Sequence, residues 1–320
     1  MKQSVDRTLF PSFQGRDPFS MDTRFYTAGS CFAEELYLRL LKYKFHTTSH
    51  PFGITFNPLS LARQFQLLFA HERYHPEALV YQDGLFHSLD HHGSCSGPDK
   101  AKVLEDIHCN MIYAREELAR SHCLVLTLGS AHVYTYLPTN QVVANCHKIP
   151  SVQFNKKRVT VDESVIALQT VLEPLLAKHS SLRIVLSVSP VRYLRDGFEE
   201  NNRSKATLLL CCDALCSWNP RIHYFPAYEI FMDDLRDYRY VADDMVHPTQ
   251  RAIDYIWSYF KDAYFDERVR TYFQRMDAYL ALKNHRVLHP QSETHLHFLQ
   301  KLEATKSALI SDFPEFGDAF

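Results

Sequence analysis

The stretch Arg24-Phe25-Tyr26-Thr27-Ala28-Gly29, running directly into Ser30-Cys31-Phe32-Ala33-Glu34-Glu35-Leu36, decides the fold. Its first half is a short aromatic-rich run that stops at a glycine and reads as a strand. From Ala33 to Phe45 leucines and aromatics recur at helical spacing, and Glu34 and Glu35 sit in the first turn, where they complement the helix dipole. Strand, tight turn and helix in that order form the repeating unit of a parallel sheet.

Outward from that unit the alternation continues. Leu59 to His71 and Asp99 to Arg120 read as amphipathic helices, and the second runs into the apolar strand Cys123-Leu124-Val125-Leu126-Thr127-Leu128, bounded by Gly129. Glu163 to His179 is a further helix, followed by the β-branched run Arg183 to Val188, which Pro190 stops. Ser204 to Trp218 reads as a helix, Ile222 to Phe225 as a short strand, and Pro248 to Phe260 as a helix beginning just after His247. The fold class that follows is α/β with a mostly parallel central sheet. Beyond about Asp266 the pattern turns helical and charged, with Pro290 between Val269 to Asn284 and Ser292 to Leu309. Residues 1–265 are therefore expected to form the α/β domain and 266–320 a helical extension packed on it.

Composition narrows the function classes. The chain has 320 residues, 46% of them hydrophobic and 22% charged, which is the make-up of an ordinary folded domain with a large core. A formal net charge of -2 gives no bias toward a polyanion, so neither nucleic acid nor a membrane surface is an expected partner. No run approaches the roughly 20 apolar residues of a membrane span, and Met1 to Asp22 lacks an apolar run of signal-peptide length. The expectation is a cytoplasmic protein. The 8 cysteines include no CxxC pair and read as free thiols. Only 9 glycines occur, so Gly29 and Gly129, each closing a strand, are expected to serve close backbone approach.

In an open parallel sheet ligands sit beyond the carboxyl ends of the strands. Gly29-Ser30-Cys31, Gly129-Ser130-Ala131 and Ser189-Pro190-Val191-Arg192 are thus three loops that can share one crevice. Ser30 and Cys31 open a helix, where free amides and the dipole stabilise an oxyanion or lower a thiol pKa. Ser30 on its own reads more readily as a helix N-cap, and Cys31 as readily as a small buried hydrophobe. Asp244-Met245-Val246-His247 places an acid ahead of a histidine at a spacing that lets the carboxylate orient the imidazole as general base.

These residues carry a resemblance. Gly29-Ser30-Cys31-Phe32-Ala33 is the name-giving motif of the GSCFA family, and the chain resembles that family again in Pro51-Phe52-Gly53, Asn57-Pro58, Leu128-Gly129-Ser130-Ala131, Asn145-Cys146-His147-Lys148-Ile149-Pro150 and Ser189-Pro190-Val191-Arg192. Asn201, Ser204-Lys205-Ala206 and Asp243-Asp244-Met245-Val246-His247-Pro248 match as well. The family resembles SGNH hydrolases, which implies a three-layer α/β/α flavodoxin-like fold and ester hydrolysis or acyl transfer. In those enzymes a Gly-Asp-Ser turn supplies the nucleophile, and a gapless match puts Cys31 in its place; a turn one residue shorter puts Ser30 there. The SGNH pattern also has a Gly-x-Asn whose asparagine donates to the oxyanion, whereas this chain has Gly129-Ser130-Ala131. Ser130, His132 or Asn145 then replaces that donor, or only amides near residue 31 and Gly129 remain. Asp244 and His247 match their block directly.

The remaining polar clusters have two readings each. His87-Ser88-Leu89-Asp90-His91-His92 places three imidazoles and a carboxylate close enough for a metal-dependent hydrolase, or it is a loop whose His91 and His92 line the pocket. Arg192 holds a substrate anion or makes an internal ion pair. Asn201 and Lys205 point into the crevice or cap their helix. The expected function is an SGNH-like hydrolase or acyltransferase acting on a small-molecule or glycan acyl ester, with no cofactor; the alternative is a binding protein that retains the fold.

Overall fold

The computed structural model describes residues 8–319 except 14, 16 and 288. Its elements run β1 (Phe25–Gly29), α1 (Cys31–Lys42), β2 (Thr47–Ser49), α2 (Pro58–Phe69), β3 (Leu79–Gln82), β4 (Leu85–Ser88), α3 (Lys100–Arg120) and β5 (Cys123–Leu128). They continue with β6 (His132–Tyr136), β7 (Gln141–Val143), β8 (Phe154–Arg158), α4 (Val161–Lys178), β9 (Arg183–Val188), α5 (Phe198–Trp218), β10 (Ile222–Phe225) and the short α6 (Ala227–Glu229). The chain then forms α7 (Gln250–Tyr264), α8 (Glu267–Lys283) and α9 (Glu293–Asp312).

Five strands build the central sheet in the order β10-β9-β5-β1-β2, all parallel. The alternation of side chains divides the core in two. Tyr26, Ala28, Leu124, Leu126, Leu128, Ile184, Leu186 and Val188 face the layer of α2, α3, α4 and α5. Phe25, Cys123, Val125, Val185 and Phe225 face α1, α7 and α8 on the other side. With both faces covered, β5 is buried at every position, which is why its sequence is a continuous apolar run rather than an alternating one.

The chain leaves β1 toward β2 on one side and returns to β5 on the other, so the direction of winding reverses between β1 and β5. Such a switch point opens a crevice at the strands' carboxyl ends. Gly29 and Thr127 are register partners there. Gly29 has φ +121°, and a Cβ on it would lie 2.0 Å from the Thr127 carbonyl oxygen, so only glycine fits. At Gly129 a Cβ would press on Phe56 at 3.1 Å and on Ser30 at 3.3 Å. Both glycines thus serve close approach.

The structure departs from the sequence reading in several places, the edge strand β2 among them. Helix α5 begins at Phe198 rather than Ser204, because Gly197 at φ +88° turns the chain and Glu199 and Glu200 supply an acidic first turn. Asn201 and Lys205 are therefore inside the helix. Two small antiparallel sheets, β3–β4 and β7-β6-β8, occupy the connections before and after β5. Their strands are short and half exposed, and so lack a strong alternation, although Asp83-Gly84 with φ 52° and 78° is a hairpin signal. Finally, α1 starts at Cys31, which places the thiol in the first helical position.

The C-terminal helices belong to the same core. Val269, Tyr272, Phe273 and Met276 of α8, with Leu309 of α9 and Phe313 and Phe316 beyond it, are buried among the residues of α1 and α7. The Tyr272 hydroxyl donates to the Tyr43 carbonyl at 3.0 Å, fastening α8 to the end of α1. Among the described residues no helix is long and apolar enough to cross a membrane.

Candidate active site

A cleft of about 360 Å³ lies at the switch point and is lined by Cys31, Phe56, Asn57, His92, Gly129, Ser130, His132, Tyr134, Ser189, Val191, Arg192, Tyr193 and His247 among others. All three loops expected to share a crevice contribute to it, together with the loop before α7. Its size is that of a small-ligand site.

The two adjacent candidates for nucleophile part company here. Ser30 is the N-cap of α1: its Oγ accepts from the Phe32 amide at 3.3 Å and pairs with Thr127 Oγ1 at 2.7 Å. It is 1% exposed and lines a separate small cavity with His50 and Tyr37. Cys31, one step along the helix, lines the large cleft. Ser30→Ala is expected to cost about 1 kcal/mol, as loss of a cap does, and to be read as a lower urea midpoint without a change in Cys31 reactivity. Burial pushes the Cys31 thiol up to about 11, Lys205 pulls it back, and Glu35 and Glu34 oppose Lys205. The resting group is thus a thiol that needs a base.

The expected base, His247, stands in a loop braced by hydrogen bonds. Asp244 Oδ1 accepts from the amides of Val246 and His247, both at 2.9 Å, and the turn between them carries Met245 at φ +60°. The Ala242 amide closes the loop onto the His247 carbonyl at 2.7 Å. Asp244 Oδ2 takes the His247 Nδ1–H at 2.6 Å. These contacts, led by the two amides, hold the Asp244 carboxyl down to about 2. With Nδ1 donating to Asp244, Nε2 is the basic nitrogen of His247. Among the described residues no hydrogen bond joins His247 to Cys31.

Among the described residues Arg192 makes no internal ion pair. It donates to the Met245 carbonyl at 2.7 Å and so ties the Ser189–Arg192 loop to the Asp244–His247 loop across the mouth of the cleft. Ser130 and His132 line the cleft and bond each other, Ser130 Oγ lying 3.2 Å from His132 Nδ1. Burial lowers the His132 pKa.

Several expected site residues lie elsewhere. Asn145 is off the cleft; its Oδ1 accepts from the His147 amide at 3.0 Å and shapes a turn in which His147 and Lys148 have positive φ. The Gly129 and Ser130 amides both donate to the Phe56 carbonyl, at 2.7 and 3.0 Å, so neither is open to an oxyanion. His91 is 1% exposed and stacked on Phe52 at 4.3 Å, with Nδ1 against Ser88 Oγ at 2.6 Å. His92 alone of its cluster lines the cleft. The other donors of that cluster are spent: Asp90 pairs with Arg63 at 2.6 Å and Tyr74 at 2.7 Å, and His87 bonds Ser96 and the Gln82 carbonyl. Among the described residues no three His, Cys, Asp or Glu side chains converge as a metal site.

Asn57 is the lining residue the sequence reading passed over as a possible donor. Its Oδ1 caps α2 by accepting from the Ser60 amide at 2.8 Å and its Nδ2 donates to Ser60 Oγ at 3.0 Å, which leaves a second Nδ2 hydrogen. The signal was the Asn57-Pro58 pair, a cap ahead of a proline at the first helical turn. The profile of the GSCFA family matches residues 24–260, which takes in the cleft and the whole central sheet. No curated protein matches the chain.

Proposed function

Taking as premise that this chain belongs to the GSCFA family, we propose that it is an SGNH-like hydrolase or acyltransferase that works through an acyl-enzyme on Cys31. The observation that carries the reading is the placement of Cys31, at the N-terminus of α1, and of the Asp244-oriented His247 on one cleft at the carboxyl ends of the parallel strands. In chain order the central strands stand 2-1-3-4-5, the flavodoxin-like order, which supports the SGNH resemblance.

The chemistry runs as two transfers. His247 Nε2 takes the Cys31 proton as sulfur bonds to the acyl carbon; the ester C–O bond breaks, and His247 returns the proton to the leaving oxygen. Water or an acceptor hydroxyl then attacks the thioester, giving its proton to His247; the C–S bond breaks, the acid or new ester leaves, and His247 returns the proton to sulfur to restore the thiol. Asp244 keeps Nδ1–H in place and balances the imidazolium that forms in each half. With the Gly129 and Ser130 amides occupied, the Cys31 amide at the helix start and the remaining Asn57 Nδ2 hydrogen are the donors we assign to the oxyanion. The aromatic and aliphatic walls, Phe56, Tyr134, Val191 and Tyr193, suit the acyl part of a small-molecule or glycan ester. The eight free cysteines support a reducing, cytoplasmic setting.

A second reading, a binding protein that keeps this fold, is favoured by the absence of a hydrogen bond between His247 and Cys31 among the described residues. Labelling with iodoacetamide and, separately, a fluorophosphonate, followed by peptide mapping in wild type and His247→Ala, decides between them. The expected result is selective iodoacetamide modification of Cys31 that slows in His247→Ala, with Ser30 unlabelled. Fluorophosphonate on Ser30 would move the reaction to the serine, and no selective labelling at either residue would leave the binding protein.

A further inference from the structure

Among the described residues that line the large cleft, Arg192 is the one permanently charged side chain, and no Asp or Glu shares the wall with it. Of the donors in its guanidinium fork, Nη2 gives one hydrogen to the Met245 carbonyl at 2.7 Å. Its Nε is shielded from solvent and has no partner among the described residues. The guanidinium stands over the Phe198 ring at 5.9 Å. Carboxylates of the adjoining loops are engaged elsewhere. Asp237, which borders a second hollow that Arg192 also lines, pairs with Arg239 at 2.8 Å. Asp244 is taken by two amides and the His247 imidazole. A brace to one carbonyl uses little of what a guanidinium offers, and charged donors left unpaired at a cleft are completed by a ligand anion.

The charge stands on the side of the cleft that holds the base. Arg192 is bonded to the residue two positions before His247, and the Arg192 and His247 side chains both line the cleft. In the proposed reaction His247 handles the alcohol oxygen, protonating it as it leaves and taking the proton of an acceptor hydroxyl. The apolar wall of Phe56, Tyr134 and Val191 is left to the acyl chain. We propose that Arg192 determines specificity by pairing with an oxyanion on the alcohol part of the substrate, so that the reaction is that of acyl esters of an acidic alcohol: a hydroxy acid, a sugar acid or a sugar phosphate. This rests on the reading of the chain as an acyl hydrolase or transferase. A guanidinium takes the paired oxygens of a carboxylate and of a phosphate by the same fork. Its tie to the Met245 carbonyl fixes that fork relative to the loop of the base, so the anion sets where the ester oxygen lies.

The test compares meta-acetoxybenzoate and meta-acetoxyphenyl phosphate with the neutral methyl ester of meta-acetoxybenzoate, in the full chain. In wild type, kcat/KM for at least one anionic ester is expected to exceed that for the neutral one by about ten- to a hundredfold, the worth of one charge-assisted pair. Which anion is preferred tells carboxylate from phosphate, and the preference is expected to shrink with added salt. In Arg192→Gln the ratio of anionic to neutral ester is expected to fall to near one, and in Arg192→Lys, which keeps the charge without the fork, to lie between. A wild-type ratio near one overturns the proposal. So does an Arg192→Gln protein that keeps the wild-type ratio, whether or not its overall activity falls, since a mere brace of the Met245 loop affects charged and neutral esters alike. Binding is read without turnover by ligand-observed NMR, with meta-hydroxybenzoate, meta-hydroxyphenyl phosphate and methyl meta-hydroxybenzoate as probes. Arg192-dependent binding of an anion with no ester turned over removes the acyl chemistry and keeps the anion site. Ester turnover without anion preference removes the anion site alone. Anions that bind no tighter than the neutral probe overturn the proposal even where no ester is turned over.

Discussion

Removing the imidazole in His247→Ala is expected to lower the rate of Cys31 acylation by about a thousandfold, near 4 kcal/mol of transition-state stabilisation, and Cys31→Ala is expected to abolish it. The size follows from the resting state of the thiol. Burial holds Cys31 up to about 11, so at pH 7.5 only a few molecules in ten thousand carry a spontaneous thiolate, roughly, and the proposed mechanism has His247 take the proton in the step itself. Asp244→Asn is expected to follow with a loss of about a hundredfold or more, because the carboxamide can present its N–H to Nδ1 and leave the proton on the wrong nitrogen. Mild acid does not mimic that variant, since Asp244, held at about 2 by the Val246 and His247 amides, stays ionised at pH 5. The measurement is single-turnover release from a short-chain p-nitrophenyl ester with mass-spectrometric capture of the acyl-enzyme. Full activity in His247→Ala would sink the mechanism, and activity that follows Ser30 rather than Cys31 would transfer it to the serine.

The second large effect is on stability. Urea midpoints are expected to fall steeply below pH 6.5, driven by His50 and His91, two buried histidines on the α2 side of the sheet. His50 sits 4% exposed with Nδ1 3.0 Å from the Tyr26 hydroxyl, and His91 is stacked on Phe52. Among the described residues neither Nε2 makes a hydrogen bond of normal geometry, and burial lowers both pKa values to about 3, Gln64 opposing the shift at His50. A histidine whose folded pKa lies below its unfolded value of about 6.5 contributes its full stability above 6.5 and loses it as pH falls toward the folded value. Each group therefore costs about 1.4 kcal/mol per pH unit in that window, and the pair about 2.7, so at pH 5 the loss is on the order of 4 kcal/mol. The two imidazoles also disfavour each other's charge, since His91 lowers His50. Replacing either by glutamine is expected to halve the slope. A stability curve that stays flat from pH 7 to 5 would show that these rings are hydrated or charged in the folded protein.

How much of the site was legible depended on how local each decision was. The Asp244-Met245-Val246-His247 pairing was readable because the carboxylate, two amides and the imidazole it binds lie within one turn of chain. Asn145 was placed wrongly because its role is also local, a bond to the His147 amide, yet nothing in the string of residues says which way that turn faces. Gly129 was rightly read as a point of close approach, but its amide is claimed by Phe56, a residue more than seventy positions earlier whose carbonyl no pattern announces. Gly197 starts α5 earlier than the helical pattern from Ser204 indicates, which puts Lys205 inside the helix and against the Gly129 carbonyl at the cleft rather than at a cap.

The sequence by itself determined the alternation of strand and helix, the glycine at residue 29 and the acid–histidine turn, because periodicity, backbone sterics and short-range hydrogen bonds act over a few residues. Only the tertiary structure gave Ser30 and Cys31 different surroundings. Thr127, 97 positions away on the neighbouring strand, takes the Ser30 hydroxyl into the helix cap, and that long-range bond leaves the next side chain, Cys31, on the wall of the cleft.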